Sequence, residues 1–230
     1  MLRHIKENVR KAQNNNREQH IYGNKLVYLK DQLPYGFDLN YVLRTVEDLV
    51  PSHMVHNIDS IYVGNFDNFN YNGRNYDAAY ENVALYISND QDDENDMVDD
   101  IIHEIAHAVE EQHGKRIYGD SSIQNEFLGK RERLYHLLDQ EGFNVSYNDT
   151  MDTEYNEKFD QFLYKTVGYP TLTSLTMGLF YSPYAATSTR EYFANGFENY
   201  FLRDRNYLKK VSPMLYNNIA ALVEERGSQS

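Results

Sequence analysis

Apolar residues change their spacing along the chain near residue 90. Before it short alternating runs are interspersed with two short helical patterns, and after it apolar residues recur at helical intervals over longer stretches. At the start, Leu2, Ile5 and Val9 lie three and four apart among charges, which predicts an amphipathic helix over 2–13 that Asn14-Asn15-Asn16 ends. Lys25–Leu29 and Ile58–Val63 read as strands. Between them, Leu39, Val42, Leu43, Val46 and Leu49 fall on one face of a helix that Asp38 can cap and Pro51 follows. Residues 64–77 are rich in Asn, Asp and Gly and include Asn72-Gly73, a hairpin-turn pair. Asn82–Ser88, with Val83, Leu85 and Ile87 on one side, is the clearest strand of the chain.

The acidic run Asp90–Asp100 reads as the approach to a helix N-terminus, where negative charge is favourable. As a calcium loop it lacks the glycine and the bidentate glutamate of an EF-hand. The helix it enters is predicted over about 96–113, with Gly114 as its stop. Further helices are expected over about 121–140, 153–167 and 189–202, the last capped by Thr189. A final helical region, about 206–225, is broken at Ser212-Pro213, where Ser caps and Pro enters the first turn. Residues 168–183 read as an irregular loop or short hairpin. Strands gather in the first 90 residues and helices in the rest, so the fold class is α+β. A chain of 230 residues suits one domain with two lobes, about 1–113 and 114–230.

Composition narrows the functional classes. The formal net charge of −13 argues against a nucleic-acid binder, which needs a basic footprint. No apolar run is long enough to span a bilayer, so no membrane partner is expected. There is no cysteine, which removes disulfides, thiol nucleophiles and thiolate metal ligands. The first residues lack the apolar core and small-residue cleavage site of a secretory signal, which points to the cytoplasm or to export by a non-classical route.

The chemistry concentrates in Ile101–His113, which contains His103-Glu104-Ile-Ala-His107. On a helix, two histidines four apart leave the same face one turn from each other and can share a zinc ion. Glu104 is placed to act on a zinc-bound water without ligating the metal. Catalytic zinc needs a third protein ligand, and two candidates compete. His113 has the ten-residue spacing of the metzincin motif, but Glu110 stands where that motif has glycine. A straight helix would carry His113 about 9 Å along the axis from His107. A weak echo of a Met-turn lies around Met177. The other candidate is Glu191, on the helix whose apolar face is Phe193, Phe197 and Phe201. Spacing alone reads Glu191 as an exposed helical glutamate. His4, His20, His53, His56 and His136 have no ligand-spaced partner and read as surface or packing residues.

Tyr184-Ala-Ala-Thr-Ser-Thr-Arg-Glu191-Tyr-Phe-Ala-Asn195 resembles the active-site segment of the anthrax lethal factor catalytic domain and the Pro-Pro endopeptidases, where a tyrosine precedes a glutamate by seven residues. His103–Glu110 resembles the same family's H-E-x-x-H-A-[VI]-D, with Glu for Asp, and Leu208–Tyr216 is similar to the segment before its last helix. The resemblance covers about 96–113 and 184–222. It implies a zincin-like fold: a small mixed N-terminal sheet with an edge strand over the active-site helix, and a helical C-terminal lobe carrying the third ligand. It further implies one Zn²⁺ held by His103, His107 and Glu191, with Glu104 as general base and Tyr184 stabilising the oxyanion. The expected activity is zinc-dependent hydrolysis of a protein substrate bound as an extended strand along 82–88, with Ala84 and Tyr86 facing the groove or solvent. Glu110 is expected either to hold a ligand imidazole or to face solvent. Asn195 stands where the family has a second glutamate, and 114–183 reads as an insertion. The alternatives are a non-catalytic binding or structural protein, such as a virion or effector component on a peptidase fold, and a metzincin-like peptidase using His113.

Overall fold

The computed structural model describes residues 17–71 and 74–225. The helix expected over 2–13, His4 with it, and the Asn72-Gly73 turn lie outside the described residues. The fold is α+β, with two compact units that divide between Val109 and Glu110, inside one continuous helix.

The first unit is built on a five-stranded mixed sheet of β1 (Glu18–Ile21), β2 (Lys25–Leu29), β3 (Ser60–Val63), β6 (Ala78–Glu81) and β7 (Ala84–Ile87), in the order β1-β2-β3-β7-β6. β4 (Asn70–Tyr71) and β5 (Arg74–Asn75) form a separate hairpin. β2, β3 and β7 run parallel, and an antiparallel hairpin strand closes each side. Alternation explains the two faces. Val27, Leu29, Ile61, Val63, Leu85 and Ile87 are buried on one. On the other, Tyr28, Tyr62 and Tyr86 stand at one register across three strands, and Tyr62 stacks on Tyr86 with ring centroids 5.4 Å apart. The parallel crossover from β2 to β3 contains α1 (Leu39–Leu49), which Asp38 caps and which buries Leu39, Val42, Leu43 and Val46.

The strand expected at 82–88 is corrected in two respects. Asn82 and Val83 form the turn of a β6–β7 hairpin, at φ of 51° and 60°, and β7 lies inside the sheet between β3 and β6. The edge is β6. Val83, expected inward, is 40 % exposed, and Ala84, expected outward, is buried. Sequence spacing signalled the alternation of β7 but not the second strand, because Ala78-Ala79-Tyr80-Glu81 has no apolar alternation to show.

α2 (Glu94–Tyr118) is longer than expected at both ends. Asp93 Oδ1 accepts from the amides of Asn95 and Asp96 at its start, and Gly114 is a helical residue within it. Met97, Val98, Ile101, Ile102, Ile105, Ala106, Ala108 and Val109 are all buried, so this stretch of helix is enclosed on nearly every side.

The second unit is helical: α3 (Ser122–Gln140), α4 (Tyr147–Thr150), α5 (Glu157–Gln161) running on into a π-helical turn at Phe162–Val167, α6 (Tyr169–Thr176), α7 (Thr189–Leu202), α8 (Arg205–Val211) and α9 (Pro213–Glu224). The helix expected over 153–167 starts only at Glu157, where Asn156 supplies the cap. Residues expected to be irregular contain α6, entered through Gly168 and Pro170. Ser188, not Thr189, caps α7. The break at Ser212-Pro213 is present, but the Ser212 hydroxyl accepts from Lys130 Nζ at 2.9 Å instead of capping α9. α7 and α9 meet closely: a Cβ on Gly196 would stand 2.2 Å from Leu215 Cδ2.

α3 buries two cations along with Ile123, Phe127, Leu134 and Leu138. Lys130 Nζ spends its three N–H groups on the Leu179 and Val211 carbonyls and Ser212 Oγ. Burial draws its pKa from 10.5 down to about 8, against the opposing pull of Glu126. The unfolded chain keeps this proton to a higher pH than the folded one, so the lysine makes stability rise with pH above about 8. The urea midpoint is therefore expected to rise between about pH 8 and 9 in the native protein, and that rise should be smaller by one proton's worth in Lys130→Met. Equal slopes in the two proteins would show that Lys130 titrates normally.

Candidate metal centre

His103, Glu104 and His107 lie in the enclosed middle of α2, and Glu191 in the first turn of α7, where its amide donates to the capping Ser188 Oγ at 3.1 Å. Their spacing on α2 puts the two imidazoles together, with ring centroids 5.0 Å apart and planes at 82°. His107 and Glu104 are each only 6 % exposed, and His103 is half-buried. Among the described residues, one group of side chains could hold a metal ion: His103, His107 and Glu191 each offer one ligand atom, all within 4.8 Å of one another. Two imidazoles and one carboxylate are a donor set suited to zinc.

His113 is not in this group. α2 remains helical at Glu110 and continues five residues beyond His113, so the turn that would bring a third histidine back is not made. Met177 is 75 % exposed, just past α6. The acidic stretch 90–100 forms no metal-holding group among the described residues.

Tyr184 opens a short 3₁₀ turn, Tyr184–Ala186, packed on α7; its carbonyl accepts from the Thr187 amide at 2.9 Å and the Thr187 hydroxyl at 2.8 Å. Asn195, one turn after Glu191, is buried, and its carbonyl accepts from Asn199 Nδ2. His20, His56 and His136 are exposed and His53 half-buried. Of the two residues expected to face a groove or solvent, Ala84 is buried, whereas Tyr86 is half-buried against Tyr62 and Phe66. Asn57 links β6 to α2: its Nδ2 donates to Ala108 O at 2.6 Å and to Tyr80 OH at 3.3 Å. Tyr80 belongs to β6, and Ala108 follows His107.

Two further groups, Asp100 and Arg131, belong to no motif. Asp100, one turn before Glu104, is held by Gln91 Nε2 at 2.9 Å. Burial pushes its carboxyl up to about 7, Gln91 opposes, and Asp96, Asp77 and Glu104 push it further up. The four-residue offset from Glu104 was its only sequence signal. Arg131, fully buried in α3, donates to the carbonyl of Ala186 in the Tyr184 turn.

Comparison of the chain with protein-family models, with curated proteins and with solved structures finds no match.

Proposed function

We propose that the chain is a zinc-dependent endopeptidase of zincin-like fold, holding one Zn²⁺ with His103, His107 and Glu191. The observation that carries this reading is the convergence of those three ligand atoms, with Glu104 buried on the same helix between the two histidines. When bound, zinc supplies a Lewis acid that lowers the pKa of water towards about 7 and polarises a carbonyl. The chain's own groups do the rest. Glu104 accepts the proton of the attacking water and passes it to the leaving amine. Tyr184 donates a hydrogen bond to the developing oxyanion, a contribution of roughly 2.7–4 kcal/mol at comparable donors. The substrate lies extended and extends the sheet at β6, the strand that Asn57 links to α2.

Metal analysis of two variants tests the ligand set. Glu191→Ala should lower zinc to well below about one per chain, while His113→Ala should stay near it. The reverse result would assign the third ligand to His113. A protein with a full zinc complement that cleaves nothing in a peptide library would instead be a binding protein on this scaffold.

A further inference from the structure

Both proposed ligand helices are joined by a second contact, beside the metal group. Glu110 lies three residues after His107 on α2, and Arg190 immediately precedes Glu191 on α7. Glu110 Oε2 pairs with Arg190 Nε at 3.4 Å, and its other oxygen accepts the hydroxyl of Tyr118, two turns further along α2. The carboxylate side chain is 15 % exposed, so this is a sheltered acceptor, not the solvent-facing glutamate of an ordinary helix. Burial and Glu110 together raise the pKa of Tyr118, while Arg190 acts the other way, so the phenol stays protonated and donates. One carboxylate thus has each oxygen committed to a different donor. One of these donors sits on the helix that carries Glu191.

We infer that Glu110, Tyr118 and Arg190 form a positioning clamp that sets the first turn of α7 against α2 and so pre-organises Glu191 as a metal ligand. The inference rests on the zinc reading above. None of the three belongs to the group that could hold the metal; they act through Glu191. An ion pair whose arginine is 54 % exposed contributes little to global stability, so its effect falls on ligand geometry. Outer partners of metal ligands change affinity by about 10–100-fold when removed, and the exposed arginine places this clamp at the lower end.

The test is competition of the purified full chain against a fluorescent zinc chelator, together with thermal melting in excess chelator. Arg190→Met and Glu110→Gln should each weaken zinc binding about tenfold, and the double variant should be no weaker than either single one. Arg190→Lys should recover part of the loss, since it restores the charge but not the planar fork. The metal-free melting midpoints should stay together, which separates a positioning role from a general weakening of the fold. Unchanged zinc affinity in the single variants, or losses that simply add, would overturn the clamp while leaving the zinc site standing. A native chain that takes up no zinc would overturn the zinc reading and the clamp with it.

Discussion

Glu104→Ala is expected to keep zinc and fold and to lose peptide cleavage by about 10²–10⁴-fold, the range of a positioned general base. The side chain is 6 % exposed between the two histidines, so removing it opens space on an enclosed helix, and a stability control by urea is needed beside the activity assay. The decisive comparison is zinc content against turnover. His103, His107 and Glu191 remain, so metal should remain, whereas the proton of the attacking water has lost its acceptor. Cleavage at the native rate in a zinc-loaded Glu104→Ala protein would remove Glu104 from the mechanism. Loss of zinc along with cleavage would make Glu104 a structural support of the metal group instead.

Arg131→Met should lower stability by about 3 kcal/mol or more, a large share of what a domain of this size possesses. Its guanidinium is fully buried, donating to the carbonyls of Thr150 at 2.6 Å, Asp149 at 3.1 Å, Asp152 at 3.3 Å and Ala186. Its plane also lies over the Phe159 ring at 4.1 Å. Burial draws its pKa down to about 9 and Asp152 opposes, which still leaves it charged at neutral pH. Two effects compete on substitution. Methionine removes the cost of desolvating a cation, and it strands carbonyls worth roughly 1–3 kcal/mol each when unpaired. Four acceptors against one charge decide the sign. Arg131→Lys should recover less than half, because one ammonium cannot span carbonyls on both the 149–152 segment and the Tyr184 turn. A urea midpoint equal to or above the native one in Arg131→Met would show that burying the charge costs as much as its bonds return.

How much of this was legible beforehand depends on what each feature leaves in the sequence. α1 is written plainly, with a capping aspartate, five apolar residues on one face and a proline after the end. The pair His103 and His107 is written in the same way, as a fixed offset on one helix. Glu191 was not, because a glutamate on an amphipathic helix looks the same whether it faces solvent or a metal; only the resemblance of 184–195 to a known active-site segment singled it out. The edge of the sheet was misplaced because strand order depends on pairing between segments, and β6 offers four residues with no strong pattern. α2 overran its expected stop because Gly114 is tolerated inside a long helix whose upstream turns are fixed by packing. The cations of α3 sit at core positions of its apolar face, where spacing alone would place solvated charges elsewhere.

An open sheet edge invites copies of the same chain to add to it. β6 is short, ends in Glu81 and is preceded by Asp77, whose carboxyl is pushed above the usual carboxylate range by burial and by Asp96, Asp90 and Asp92 around it. A second copy pairing antiparallel along β6 would bring that acidic surround against its own image, and a chain of net charge −13 adds long-range repulsion. The charge around β6 therefore works against self-polymerisation along this strand. The chain's solubility should fall first where those carboxylates are neutralised, in acid or at high ionic strength.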